Sequence, residues 1–274
     1  MKRKKIGVAL GAGSTKGFAH IGVLQALNEQ NIPIDMISGC SMGAIVGAIY
    51  ATGGDMRALS QYLEDFNLRS YLDIGSLRQG GLLRGKRLQE LVKSFTQDRD
   101  FSETDIPFVC VAVELESGTL KTFDSGKLHE AVRASMSMPA FFQPARIDGR
   151  TYADGAVLDR VPTKALRDRG MDIVIGVDIG YRGEKTDATS MNVYQLLGHT
   201  ISIMQWELSK RCQTQADVMI IPPVREYVKE YFQMNMLDKT VEDGRRAALA
   251  AIPEIRRLME KRRSWLSFIK PSGR

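Results

Sequence analysis

Residues 34–50 contain the pattern in this chain best suited to covalent chemistry, a serine between two glycines. The sequence Gly39-Cys40-Ser41-Met42-Gly43 has the form G-x-S-x-G, with apolar residues before it and small residues after it. That context predicts a buried strand, a strained turn and a tightly packed helix, the arrangement that exposes a nucleophilic serine. Glycine suits both flanks because a side chain there would collide with the neighbouring strand or helix. Ser41 is therefore the candidate nucleophile.

A serine hydroxyl reacts well only when a base takes its proton, and the usual base is histidine. The sequence has three histidines. His20 lies in a predicted helix before the serine, His129 begins another helix, and His199 lies in a long helix with no glycine-rich loop around it. An α/β-hydrolase places its histidine late, on a loop after the acid. Because none of the three fits that order, a carboxylate acting directly on Ser41 is the better hypothesis.

Asp154 is the acid best placed for that role. It ends a predicted strand and is followed by Gly155-Ala156, which would form a turn after the base. The alternative interpretation is a simple Asp-Gly turn, a common pairing in loops. A carboxylate with its ordinary pKa of about 3.9 is a weak base. Asp154 would therefore need partial desolvation, or proton transfer concerted with attack on the carbonyl.

A glycine-containing loop, residues 11–17, follows the first predicted strand and could bind negative charge. Convergent backbone N–H groups in such a loop can form an oxyanion hole, for which the candidates are Gly11, Ala12, Gly13, Ser14, Lys16 and Gly17. The alternative is a dinucleotide-binding loop. Two features disfavour that alternative: the spacing is G-x-G-x-x-x-G, and the acidic residue, Asp35, precedes the second strand instead of following it.

Strands and helices alternate along the chain, which predicts an α/β fold with a largely parallel sheet and helices on both faces. Residues 53–85 resist assignment, and we interpret them as a lid or entrance region. The predicted strands are Ile6–Leu10, the segment before Ser41, Pro107–Val113, Thr119–Phe123, a hairpin around Asp148-Gly149, Ile173–Ile179 and Val218–Ile221. The predicted helices are Phe18–Gln30, the segment after Ser41, Lys86–Phe95, Leu128–Met138, Thr163–Arg169, Val193–Cys212 and Thr240–Arg263.

Three motifs in order, the loop at 11–17 leading into Phe18–Leu24, the elbow at 39–43 and Asp154-Gly155-Ala156, resemble those of patatin-like phospholipases. The resemblance is closest to the bacterial branch that is similar to the catalytic domain of neuropathy target esterase, and it covers about residues 6–170. It implies a three-layer α/β fold and a Ser–Asp dyad of Ser41 and Asp154, with the 11–17 loop as oxyanion hole. It also implies hydrolysis of fatty acyl esters in phospholipids or lysophospholipids, without metal, cofactor or histidine.

The chain also departs from the family pattern in two places. The family's glycine run is usually denser, whereas here Ala12, Ser14 and Thr15 interrupt it. Relatives often carry asparagine before the Val/Leu-Pro that follows the base, whereas here Asp159 and Arg160 precede Val161-Pro162. The motifs leave open a second hypothesis, a non-catalytic lipid-binding or regulatory protein on the same scaffold, and a third, a nucleotide-binding domain.

Length and composition set the wider limits. A chain of 274 residues with 43% hydrophobic content can build one large α/β unit. We expect residues 6–170 to form the catalytic domain and residues 171–274 to continue the same unit into a basic helical tail. Cys40, Cys110 and Cys212 are widely spaced, which favours buried free thiols in a reducing compartment. The basic run at 2–5 leads into glycines after Leu10, so we expect no signal peptide and a cytoplasmic location.

Positive charge is concentrated at the two ends of the chain. Residues 256–274 carry a net charge of +6 and residues 2–5 carry +4, so the remainder carries −4 within a total of +6. This distribution argues against a nucleic-acid-binding surface, which would spread cations over one face with stacking aromatics. Residues 261–270 combine cations with large apolar side chains, a combination that can lie on an anionic bilayer. We therefore expect peripheral contact with the inner membrane surface through residues 256–274; the alternative is a frayed, solvated helix end whose apolar residues dock on the body of the protein.

Overall fold

The computed structural model of this protein describes residues 3–56, 58–59, 73–76, 78, 80–213, 215–224 and 237–260. Its strands are β1 (Ile6–Leu10), β2 (Met36–Gly39), β3 (Ile74–Ser76), β4 (Gly81–Leu83), β5 (Phe108–Glu114), β6 (Thr119–Phe123), β7 (Ala140–Phe142), β8 (Ala145–Ile147), β9 (Arg150–Asp154), β10 (Ile173–Val177) and β11 (Val218–Ile220). Its α-helices are α1 (Ala19–Glu29), α2 (Met42–Ala51), α3 (Lys86–Phe95), α4 (Leu128–Ser135), α5 (Thr163–Arg167), α6 (Val193–Gln213) and α7 (Leu237–Glu260).

The main sheet has eight strands among the described residues, in the order β11-β10-β1-β2-β5-β9-β8, with β6 also paired to β5. The five strands from β11 to β5 run parallel, β6 and β9 pair antiparallel with β5, and β8 pairs antiparallel with β9. The prediction of an α/β fold with a largely parallel sheet is confirmed. Strands β10 and β11, which lie beyond residue 170, are part of this sheet beside β1.

Alternate side chains of the central strands enter two separate cores, as the period of a strand requires. Val8 and Leu10 of β1 belong to the larger core, which also contains α1 and α7. Ala9, between them, faces the second core with Leu166 and Val174, beneath α5. Both faces of the sheet are thus covered by helices, which gives three layers.

A second, small sheet of three-residue strands, β3-β4-β7, was not predicted. Three residues are too few to show the alternation of apolar and polar side chains that predicts a strand. Two of these strands, β3 and β4, lie in the segment 53–85 that we interpret as a lid or entrance. Residues 57, 60–72, 77 and 79 of that segment lie outside the described residues. The predicted hairpin around Asp148-Gly149 is confirmed, with φ of 50° and 76° at its two turn residues.

The boundaries of two predicted helices differ from the structure. The helix predicted to reach Met138 ends at Ser135, because the N–H of Met138 donates to Met136 and the carbonyl of Ser137 accepts from Asp154. The last helix is described only as far as Glu260, so most of the predicted basic tail, residues 261–274, lies outside the described residues. No helix within the described part of the chain is both long and apolar enough to cross a bilayer.

Candidate active site

Sheet register brings the two motif residues to the same edge of the sheet. Gly39 at the end of β2 pairs with Leu10 of β1 on one side and with Cys110 of β5 on the other. Asp154 at the end of β9 pairs with Ala112, two residues further along β5. Ser41 follows Gly39 by two residues, so the serine and the aspartate emerge at the same level. The Ser41 hydroxyl lies near enough to the Asp154 carboxylate to interact with it and to lower its pKa.

Ser41 has the backbone geometry of a nucleophile elbow. Its backbone angles, φ of 55° and ψ of −120°, lie in a region that residues other than glycine rarely adopt. A Cβ on Gly39 would come within 2.5 Å of Ala44 Cα, and one on Gly43 within 2.1 Å of the Leu10 carbonyl oxygen. The two flanking glycines are therefore required by the backbone of the neighbouring helix and strand. Together they hold the partly exposed serine above the end of the sheet.

Backbone strain at Ser41 makes a prediction about stability. Replacing Ser41 with glycine should raise the free energy of unfolding by about 1–2 kcal/mol relative to Ser41→Ala, because glycine adopts this φ and ψ without steric conflict. Urea denaturation of the two variants, both of which lack the hydroxyl, measures the difference. Equal stability of the two variants would contradict a strained elbow.

Ser135 supports the elbow from α4, a role that no sequence motif indicates. Its hydroxyl oxygen accepts a hydrogen bond of 3.0 Å from the backbone N–H of Ser41, and the side chain is fully buried. A serine near a helix end has no pattern that distinguishes it from any other. Only the packing of α4 against α2 identifies the contact.

Asp154 is buried, with 4% of its surface exposed, and its carboxylate has three neighbouring donors. The backbone N–H of Ala156 donates over 2.9 Å and the Cys40 thiol over 3.6 Å, and the Ser41 hydroxyl also interacts with the carboxylate. Burial raises the pKa of Asp154 from its ordinary 3.8 to about 6, although these hydrogen bonds partly oppose the shift. The carboxylate is thereby a stronger base than a solvated aspartate.

Two of these donors, Cys40 and Ala156, belong to a buried apolar cluster with Ala12 and Val111. Burial, and secondarily the charge of Asp154, raises the pKa of the Cys40 thiol well above its ordinary value, so the thiol remains a neutral donor. A Cβ on Gly155 would lie 2.4 Å from the Val111 carbonyl oxygen, which explains the glycine after Asp154. Cys40 and Cys110 are buried free thiols as predicted, and the side chain of Cys212 lies outside the described residues.

The loop at 11–17 lies against the elbow, and its amides divide into two groups. The N–H groups of Gly11, Ala12 and Lys16 donate to the carbonyls of Val177, Arg160 and Gly13 respectively. The N–H groups of Gly13 and Ser14 make no hydrogen bond within the described part of the chain. Gly13 and Ser14 therefore retain their N–H groups for a ligand.

Contacts at both ends of this loop fix it beside the serine. A Cβ on Gly17 would lie 2.0 Å from Cγ of Met42, the residue after Ser41, and one on Gly43 would lie 2.8 Å from the Gly11 carbonyl oxygen. Ser14 has a positive φ of 52°, so the loop turns sharply at the second of the two unused amides. Successive amides in such a turn form a concave binding site for an anion.

None of the three histidines is hydrogen-bonded to the serine. His20 is fully buried and its Nε2 lies 2.7 Å from the Gly11 carbonyl oxygen; burial lowers its pKa to about 4, so the neutral ring donates to that carbonyl. His129 contacts Asp98 and Gln89. His199 packs edge-to-face on Tyr181. Among the described residues, no three His, Cys, Asp or Glu side chains gather as a metal site.

A family model for patatin-like phospholipases matches residues 8–167, more than half of the chain and all three motifs. The chain belongs to the patatin-like phospholipase family. An uncharacterized NTE family protein of Mycobacterium tuberculosis is 33% identical over 177 residues, which cover 64% of this chain and 49% of that protein. Human patatin-like phospholipase domain-containing protein 6 is 28% identical over 229 residues, 81% of this chain and 16% of that protein. The chain therefore spans about half the length, or less, of these curated relatives.

Solved structures share the fold of this patatin-like chain at low sequence identity. VipD from Legionella pneumophila matches with a TM-score of 0.54 at 15% identity, covering 93% of this chain and 67% of that chain. Human GIVD cytosolic phospholipase A2, solved with a fluorophosphonate inhibitor, matches with a TM-score of 0.54 at 10% identity, covering 93% of this chain and 59% of that chain. These likenesses confirm the patatin-like fold.

Proposed function

We propose that this protein is a serine acyl hydrolase that cleaves fatty acyl ester bonds of phospholipids or lysophospholipids through a dyad of Ser41 and Asp154. The observation that carries the proposal is the strained Ser41 beside the buried Asp154 carboxylate, whose pKa burial raises and with which the serine hydroxyl interacts. Membership of the patatin-like phospholipase family supports the lipid ester as the substrate class.

The first half of the proposed cycle forms an acyl-enzyme. Ser41 Oγ attacks the ester carbonyl carbon while Asp154 accepts the hydroxyl proton. The carbonyl oxygen becomes an oxyanion, which the N–H groups of Gly13 and Ser14 stabilise. The tetrahedral intermediate then collapses, the bond to the leaving oxygen breaks, and Asp154 returns the proton to that oxygen, releasing the alcohol.

The second half removes the acyl group with water. Asp154 accepts a proton from water as the water oxygen attacks the acyl carbon, and the same amides stabilise the second oxyanion. Collapse of this intermediate releases the fatty acid and restores the Ser41 hydroxyl with the proton held by Asp154. The apolar surroundings of Asp154 keep its basicity high in both steps.

Lipid-class profiling tests both the reaction and its substrate. Wild-type protein incubated with a mixed lipid extract should release free fatty acids from one or a few phospholipid classes, and Ser41→Ala should release none. Hydrolysis by wild type that persists in Ser41→Ala would contradict the proposed nucleophile. No release from any lipid class by a folded wild type that also fails to react with a fluorophosphonate would favour the non-catalytic alternative.

The basic tail is the proposed membrane contact. Deleting residues after Arg263 removes cations and the apolar residues Trp265, Leu266, Phe268 and Ile269. Because each Lys or Arg near an anionic surface contributes about 1 kcal/mol, we expect binding to anionic vesicles to weaken at least about tenfold. Co-sedimentation with vesicles containing phosphatidylglycerol measures the loss, and neutral vesicles serve as the control. Unchanged sedimentation of the truncated protein would refute a role for the tail.

A further inference from the structure

Behind the loop at 11–17 lies a buried ion pair that takes no part in the proposed chemistry. The Arg160 guanidinium donates to the Asp178 carboxylate over 2.7 Å, and the two side chains are 1% and 0% exposed. Arg160 is also one of the residues at which the chain departs from the family pattern. A buried ion pair contributes little net stability because desolvation offsets the attraction, but its directional hydrogen bonds can specify one local geometry.

Both partners adjoin the carbonyl groups that hold the loop in place. Gly11 N–H donates to the carbonyl of Val177, the residue before Asp178, and Ala12 N–H donates to the carbonyl of Arg160 itself, each over 3.0 Å. The next two amides along the chain are the proposed oxyanion donors. Their position therefore depends on two carbonyl acceptors that the ion pair connects.

Several contacts hold the two terminal nitrogens of the guanidinium. Besides Asp178, it donates to the Tyr181 carbonyl over 2.8 Å and to the Ser209 hydroxyl over 3.0 Å, and it lies 5.7 Å from the Trp206 ring centroid. A Cβ on Gly180 would lie 2.6 Å from Arg160 Nη1, so glycine leaves the space that the guanidinium fills. A lysine could supply the charge but could not make these planar, divergent bonds together.

We propose that Arg160 is a positioning residue, which through its ion pair with Asp178 holds the Gly11–Ala12 turn so that the following amides point at the oxyanion. This inference rests on the proposed function. It implies that loss of the Arg160 side chain weakens stabilisation of the transition state more than it weakens substrate binding. The turnover number should therefore fall while KM changes little.

The test compares full-length wild type with Arg160→Gln and Arg160→Lys on a p-nitrophenyl ester, below the melting temperature of each variant. We expect Arg160→Gln to lower kcat by about 10²–10³-fold, the effect of losing one oxyanion donor, with KM within about threefold. Arg160→Lys should recover part of that loss. A trifluoromethyl ketone, whose adduct with Ser41 carries an oxyanion, should bind the glutamine variant more weakly by a similar factor.

The matched control is Arg182→Gln. Arg182 contacts the same Asp178 oxygen at 2.9 Å, but its carbonyl does not accept a hydrogen bond from the loop. We expect nearly wild-type kcat from this variant. Wild-type kcat in folded Arg160→Gln, or an equal loss in Arg182→Gln, would overturn the inference while leaving the proposed function intact. If Arg160→Gln does not fold, an undiminished kcat in Arg160→Lys would overturn it equally. An inactive wild type would overturn both proposals.

Discussion

Replacing Ser41 with alanine is expected to lower kcat/KM for a p-nitrophenyl ester by about 10³–10⁶-fold, the range seen when a serine nucleophile is removed. The reason is that Ser41 combines the backbone geometry of an elbow with a position beside the buried Asp154, the proposed base. The loop amides and the binding surface would remain, so a small residual rate over water is expected. Initial rates at matched protein concentration measure the change.

Covalent labelling separates loss of the nucleophile from loss of the fold. A fluorophosphonate should label wild type and not Ser41→Ala, because only an activated serine attacks the phosphorus. Ser117→Ala is the matched control, since Ser117 is exposed in the turn between β5 and β6, far from the elbow in sequence. Labelling of Ser41→Ala at the wild-type rate would show that another residue is the nucleophile.

Local patterns predicted the sheet and the elbow because each depends on a few neighbouring residues. The strand–turn–helix around Ser41 requires Gly39 and Gly43 for steric reasons that a single motif expresses. The loop at 11–17 could likewise be predicted from neighbouring residues, because its glycines come directly after the apolar residues of β1. Strand β9, which ends at Asp154, could also be predicted because an Asp-Gly turn precedes it.

Contacts between distant segments could not be predicted in this way. Ser135 reaches the Ser41 amide from 94 residues away, and His20 supports the Gly11 carbonyl from within a helix. Nothing in the sequence indicates that Arg160 and Asp178, which are 18 residues apart, form a buried ion pair. Which N–H groups of the loop remain unused depends on where the carbonyls of Val177 and Arg160 lie, which is a property of the folded sheet.

The pH dependence of the reaction should report the ionisation of Asp154. Because burial raises its pKa to about 6, the basic form predominates above that pH and is lost below it. We expect kcat/KM to be constant from about pH 7 to 8.5 and to fall about tenfold per pH unit well below 6. His20, whose pKa is about 4, and the Cys40 thiol, whose pKa is raised, both stay neutral through this range.

Asp154→Asn should abolish activity at every pH, because an amide cannot accept the serine proton. Asp148→Asn is the matched control: Asp148 is exposed and has φ of 50°, a conformation that asparagine tolerates well, so we expect wild-type rates. If Asp154→Asn stayed active and its kcat/KM still fell below pH 6, the titrating group would be another residue, and Asp154 would not be the base.

The same substitution should stabilise the fold. The pKa of Asp154 is higher in the native protein than in the unfolded chain, so the native state binds this proton more tightly. The ionised carboxylate therefore destabilises the native protein above pH 6, by up to about 3 kcal/mol for a shift of about two units, and this effect disappears as the pH falls towards 4. Asp154→Asn should unfold at higher urea concentration than wild type at pH 8, and at nearly the same concentration at pH 4. A variant that is less stable at pH 8 would mean that the interactions of Asp154 with Ala156, Ser41 and Cys40 outweigh the desolvation of its charge. The pKa of Asp154 would then lie well below 6, and the pH at which activity falls should be lower by the same amount.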